Sequence, residues 1–286
     1  EHSGAIRAAV GHIARSQAAA GGFVLICHSL PSLEACAALQ QRYRRARPFP
    51  HLVIDDVLAA GLAADLEQEC RQVEAPINSS NGFTQVGKLT LNHWEQMPPL
   101  LQQICCFFQS GYVLDRLEAI TGIHGLIADP HLEGGGLHRT ERGGFLKLHT
   151  DFNFHRRLRL HRRVNVLYYL NSDYQPCWGG ELHLSRRPRR EATAAMTSIS
   201  PRMNRLVIFS TNDTTFHGHP EPHAFPAGWP RTSLAFYYYT VGRPWWERRR
   251  INTSTTRYLP SRDQPIDFRT ASWRSRLGYQ LRRWTP

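Results

Sequence analysis

The sequence predicts an α+β fold, with helices first and a β-sandwich or barrel after them. Two observations predict it. Apolar residues recur at helical spacing as far as about residue 121, and from about residue 125 the chain breaks into short apolar runs punctuated by Gly, Pro and Asn. No internal repeat interrupts this order. With 286 residues, 41% of them hydrophobic, the chain can bury one generous core, and global disorder is excluded.

Residues 1–47 read as a helical N-terminal extension, Ala-rich at Ala18-Ala19-Ala20 and basic at Arg42, Arg44 and Arg45. The segment Arg47-Pro48-Phe49-Pro50 ends it, because two prolines in three residues cannot continue a helix. A strand is expected over 51–58 and a helix over 60–73, with Leu62, Leu66 and Cys70 on one face. Residues 98–121 read as one further helical stretch, in which Cys105 and Cys106 are expected to be buried. Five strands follow, at 143–149, 163–170, 179–184, 205–209 and 232–241. The core domain is thus expected over 48–245, and residues 246–286 form a basic tail packed on it or extending from it.

Composition narrows the setting. The longest apolar run, residues 22–27, is far too short to span a membrane. No basic segment followed by a long apolar core opens the chain, so no signal peptide is expected. Six cysteines without C-x-x-C spacing predict buried thiols in a reducing cytoplasm and speak against a thiolate zinc site. The net charge of +12 comes largely from arginine runs such as 186–190 and 248–250. It suits anionic partners, nucleic acid among them, and equally a solvated basic surface.

The chemistry concentrates in a few residues. On a strand, positions i and i+2 share a face, so His149 and Asp151 can grip one ion together. His217, arriving from a later strand, completes two imidazoles and a carboxylate, the facial triad that leaves coordination positions open on Fe(II). Arg231 opens the next strand, where a guanidinium deeper in the barrel can clamp the far end of a dicarboxylate. His219 and His223 flank the His217 turn and read as supporting residues, and Trp178 as packing beside Gly179-Gly180.

The segments Leu146-Lys147-Leu148-His149-Thr150-Asp151, Leu167-Tyr168-Tyr169-Leu170-Asn171, Trp178-Gly179-Gly180-Glu181-Leu182 and Phe216-His217-Gly218-His219-Pro220, with Arg231-Thr232-Ser233, resemble the prolyl 4-hydroxylase-like branch of the 2-oxoglutarate/Fe(II) dioxygenases. The resemblance covers about residues 48–245. It implies a double-stranded β-helix (jelly roll) with flanking N-terminal helices. It also implies Fe(II), 2-oxoglutarate and O2 as the working set, with ascorbate as reductant. His149, Asp151 and His217 would bind iron, Arg231 would anchor the distal carboxylate of 2-oxoglutarate, and Tyr169 and Ser233 would support it. Asn153 and His155, just past the metal pair, are expected to meet substrate.

Leu146 stands where several relatives carry a tyrosine. The basic stretch 151–163, with His155, Arg156, Arg157, Arg159, His161 and Arg162, is expected to help define the substrate. Asp151 argues against halogenation, because halogenating relatives lack this carboxylate. The expected reaction is hydroxylation of an unactivated C–H bond in a prolyl or other amino-acid side chain, free or in a peptide, or in a small carboxylated metabolite. Two readings compete with it: a nucleic-acid-modifying enzyme of the same chemistry, and a non-catalytic jelly-roll binding module.

Overall fold

The computed structural model describes residues 30–74, 78–82, 84–186, 196–244 and 256–258. Most of the N-terminal extension, most of the 186–190 arginine run and nearly all of the basic tail lie outside the described residues. In chain order the larger elements are α1 (Leu33–Arg45), β1 (His51–Ile54), α2 (Ala60–Arg71), β2 (Asn78–Gly82), β3 (Gln85–Leu91), α3 (Pro99–Phe108) and α4 (Gly111–Thr121). The strands then follow almost without interruption: β4 (Ile127–Ala128), β5 (Gly136–Thr150), β6 (Phe154–His155), β7 (Leu160–Tyr169), β8 (Leu182–Arg186), β9 (Met196–Ile199), β10 (Arg205–Ser210), β11 (Thr215–His219), β12 (Arg231–Thr240) and β13 (Arg257–Tyr258). Among the described residues no helix is long and apolar enough to cross a membrane.

Local chemistry sets the helix ends. Ser32 caps α1, its hydroxyl accepting from the Ala35 amide at 3.2 Å. The stretch expected as one helix over 98–121 is two, separated at Gln109-Ser110. The Glu69 carboxylate accepts from the amides of Leu100 and Leu101, placing an anion at the N-terminus of α3. Gly122, in the left-handed region at φ 67°, stops α4. Cys105 is buried as expected but Cys106 is exposed, since neighbouring helix residues point in different directions. Within the first 47 residues, α1 packs against α4 and contributes Cys36 and Tyr43 to the main core, so it shares that core rather than standing apart.

The strands form one curled antiparallel sheet in the order β1-β10-β7-β12-β5-β11-β8-β9, a double-stranded β-helix. The long strand β5 joins its two halves. Residues 136–140 pair with β12, and His149 and Leu146 pair with β11 across the curl. The changeover falls around Gly143-Gly144, and Gly143 sits at φ 78°. On its other edge β5 pairs with β3.

Side-chain alternation sorts the strands into a core face and a cavity face. Val164, Val166 and Tyr168 of β7, with Leu234, Phe236 and Tyr238 of β12, join Leu66, Leu101, Ile104, Phe108 and Leu117 of the helices in the main core. Phe108 stacks on Phe236 with ring centroids 4.7 Å apart. The intervening residues of the same strands point into the curl of the sheet, where Asn165, Leu167, Arg231, Ser233 and Tyr237 line a cavity.

Candidate metal centre

His149 and His217 are directly opposed in the β5–β11 pairing, which brings their rings to 4.4 Å between centroids. Asp151, just past the end of β5, lies on the same face as His149. Its Oδ1 is 3.5 Å from His149 Nε2 and its Oδ2 is 3.2 Å from His217 Nε2. One ligand atom from each of the three residues falls within a cluster 4.8 Å across, and among the described residues this is the one such group of three. The Lys147 carbonyl, 2.9 Å from His149 Nδ1, accepts the imidazole N–H there, which turns Nε2 toward the cluster as a donor.

The carboxylate is oriented from behind. Asn165 donates to Asp151 Oδ2 at 2.7 Å, and Arg162 Nη2 lies 2.8 Å from the same oxygen. Arg162 is 1% exposed, stacked 3.3 Å over the Tyr237 ring, and its Nε donates to Asn165 Oδ1 at 2.8 Å. Burial opposes ionisation of Asp151, but the Arg162 guanidinium and the two imidazoles outweigh it and hold the carboxyl well below the usual carboxylate range. Burial pushes the His217 imidazole down, keeping it neutral and able to donate a lone pair. Two imidazoles and one ionised carboxylate are a donor set that suits a divalent iron.

Deeper in the cavity lies Arg231, 5% exposed. Its Nε donates to the Gly180 carbonyl at 2.6 Å and its Nη2 to the Tyr169 hydroxyl at 3.1 Å. No described residue accepts from Nη1. Ser233, two residues on, shares its face and lines the cavity with it. Tyr169 stands opposite Ser233 on β7. It belongs to the packed layer beneath the cavity, with Phe49, Leu182 and Phe209, so it touches the guanidinium from behind.

Other expectations fare differently. Asn153 donates to Asp213 Oδ1 at 2.7 Å, and His155 is fully buried with its Nε2 3.1 Å from Glu133 and 3.6 Å from Asp129. Neither is among the described cavity-lining residues. Of the basic residues in 151–163, only Arg162 lines the cavity. Arg156, Arg157 and Arg159 are exposed at the turn of the β6–β7 hairpin. His219 faces the cavity, whereas His223 packs between His219 and Phe225. Sequence reasoning passed over Lys88, His138, Thr140 and Asn165, all of which line the cavity. The one signal for the last was its place beside Tyr169 in the β7 alternation.

Residues 135–239 match the family model described as the 2OG-Fe(II) oxygenase superfamily. No curated protein matches the chain. Among solved structures, a prolyl-4-hydroxylase from Pseudomonas putida is similar, with 21% identity, a TM-score of 0.51 and coverage of 72% of this chain and 98% of its own. A prolyl hydroxylase from Trichoplax adhaerens, solved with a hypoxia inducible factor peptide fragment, shares 16% identity at a TM-score of 0.52, covering 72% and 90%. The epimerase SnoN, solved with Fe3+, alpha ketoglutarate and nogalamycin RO, shares 12% identity at a TM-score of 0.52, covering 81% and 98%. At these identities the likeness is one of fold.

Proposed function

We propose that this chain is a 2-oxoglutarate-dependent dioxygenase of the 2OG-Fe(II) oxygenase superfamily, whose family model its residues 135–239 match, and that it hydroxylates an unactivated C–H bond of a prolyl or other amino-acid side chain, free or in a peptide, or of a small carboxylated metabolite. The observation that carries this reading is the pairing, in one cavity, of the His149–Asp151–His217 donor cluster with an arginine that keeps one Nη without a described partner. His149, Asp151 and His217 hold Fe(II), and Arg231 pairs with the distal carboxylate of 2-oxoglutarate. Tyr169 and the Gly180 carbonyl fix the guanidinium plane, and Ser233 offers a hydroxyl beside it.

When bound, iron, 2-oxoglutarate and O2 supply the oxidising power, with 2-oxoglutarate leaving as succinate and CO2. The chain's part is geometric and electrostatic. Arg162 and Asn165 keep Asp151 ionised and aimed. Burial keeps His217 neutral. The packed layer of Tyr169, Leu182 and Phe209 closes the cavity floor against water. A peptide substrate is supported by the similar prolyl hydroxylase solved with a peptide fragment. The basic cavity described below favours the carboxylated alternatives.

The test is succinate release across free amino acids, carboxylated metabolites, capped peptides and oligonucleotides, with products weighed by mass spectrometry. Stimulation by one of the first three, with a gain of one oxygen atom in the product, is the expected result. Stimulation by oligonucleotides alone would overturn the substrate reading.

A further inference from the structure

We propose that Lys88 is a second anion anchor in the cavity and selects a substrate bearing a free carboxylate. The inference rests on the reading of Arg231 as the 2-oxoglutarate anchor and narrows its substrate class. Its basis is the register of three neighbouring strands. Thr140 of β5 stands opposite Lys88 on β3 and opposite Arg231 on β12. Residues directly opposed in antiparallel strands share a face, and all three line the cavity. Two strand spacings separate the cations, about 9.5 Å between backbones. They therefore flank the cavity floor as two separate positive groups.

The cavity's charges are unequally matched. Lys88, Arg162 and Arg231 face one carboxylate, Asp151, among the described lining residues. Asp151 is already committed to Arg162, Asn165 and the imidazole pair. Bound iron and the 2-oxoglutarate dianion together add no net charge, so the excess of two positive charges in the cavity stands when both are bound, and the distal carboxylate faces Arg231 as Asp151 faces Arg162. Lys88 is then the cation left over, and no described residue accepts a hydrogen bond from its ammonium. Burial pushes that ammonium down to about 8; Asp151 works against the shift, and Arg162 and Arg231 add to it. At neutral pH it stays mostly charged, and Asp151, already paired with Arg162, is the one carboxylate among the described lining residues that faces it. A largely buried, unpaired cation costs stability unless an anion meets it.

A single compact charge on a flexible stem suits a single negative charge, as on a carboxylate. Lys88 comes from the β2–β3 hairpin and approaches from the side of β5 opposite Arg231. A substrate whose carboxylate pairs with Lys88 is therefore held at one end. Its other end is left to reach toward the His149–Asp151–His217 cluster, which lines the same cavity.

The probe is propionate, titrated calorimetrically into the protein loaded with Mn(II), which replaces Fe(II) to prevent turnover, and saturated with 2-oxoglutarate. Propionamide, of the same shape without the charge, is the control. Wild type is expected to bind propionate and not propionamide. Lys88→Met should weaken propionate at least tenfold while changing the 2-oxoglutarate Kd less than twofold, and Lys88→Arg should restore propionate binding to within about fivefold. The unchanged 2-oxoglutarate Kd also shows that the Met variant is folded. Equal binding of both probes by wild type, no binding of either, or undiminished propionate binding by Lys88→Met overturns the proposal. A Lys88→Met variant that loses 2-oxoglutarate instead overturns it in favour of a shared dicarboxylate site. Failure of wild type to bind 2-oxoglutarate at all overturns the reading beneath it.

Discussion

Arg162 Nη2 lies 2.8 Å from Asp151 Oδ2, and the guanidinium that makes this contact is almost wholly enclosed, resting on the ring of Tyr237. A buried ion pair contributes little net stability, but removing one partner strands the other charge and costs about 3–5 kcal/mol. Here the pair also keeps a metal ligand ionised. Arg162→Met should therefore lower stability by about 3 kcal/mol in urea titrations and weaken Mn(II) binding about 10–100-fold by calorimetry. Arg162→Lys should rescue neither, because an ammonium cannot stack on Tyr237 while pairing with Asp151 and Asn165. Wild-type metal affinity in Arg162→Met would refute the positioning role.

Gly218 separates His217 from His219 at the point where the β11–β5 register shifts. A Cβ there would lie 2.6 Å from the Leu146 carbonyl oxygen and 2.8 Å from that of Lys147. Gly218→Ala must push β11 away from β5, displacing His217 from its place opposite His149. The expected outcome is a loss of about 2 kcal/mol of stability, as for an overpacked interior site, together with weaker Mn(II) binding. Unchanged metal affinity would mean that the strand yields elsewhere.

Arg231 is held by two acceptors, and they are unequal in consequence. Arg231→Met deletes the charge and should weaken 2-oxoglutarate at least thirtyfold. Tyr169→Phe removes only the hydroxyl that accepts from Nη2, and about tenfold is expected, the scale of one charge-assisted hydrogen bond. Calorimetry with 2-oxoglutarate and Mn(II) measures both. A Tyr169→Phe effect as large as that of Arg231→Met would place the phenol against the ligand itself.

Several buried imidazoles set the acid limit of the fold. Burial, with Arg231 beside it, pushes His223 down to about 4, and burial holds His138 and His219 well below the ordinary histidine value. In the unfolded chain each takes up its proton near 6.5. The unfolded state thus binds more protons between 6.5 and 4, so this stability is complete above 6.5 and is lost as pH falls through that window. His223→Phe should reduce the stability lost between pH 6.5 and 4 by on the order of 2 kcal/mol, read from urea midpoints. Identical pH profiles for variant and wild type would contradict the assignment.

What could be read from the sequence follows from local periodicity. His149 and Asp151 are two apart, and β7 and β12 contain short apolar runs set off by turn residues, so the metal cluster, Arg231 and the curled sheet were all visible. Lys88 was not, because β2 and β3 carry Asn, Ser, Gly, Gln and Lys with too few apolar residues to read as strands. Their pairing depends on β5, far along the chain. Arg162 was hidden for a related reason. Among Arg156, Arg157 and Arg159 it looks like one more solvated charge, and only the closure of β7 beneath Asp151 buries it. The bend at residue 153, which no local pattern signals, directs Asn153 to Asp213 and His155 to Glu133. The later strand expected to carry His217 is β11, five residues with His217 at its centre, whose bounds no apolar run marks.

The most direct test of the central claim is succinate formation from 2-oxoglutarate in the presence of Fe(II), ascorbate and O2, comparing wild type with His149→Ala and Arg231→Ala, and with 2-oxoglutarate binding to the anaerobic Fe(II) protein measured alongside. Wild type is expected to bind 2-oxoglutarate and release succinate, with release abolished in His149→Ala and strongly reduced in Arg231→Ala. Succinate release that survives the loss of His149, or a wild-type protein that binds no 2-oxoglutarate with Fe(II) in place, would contradict the account.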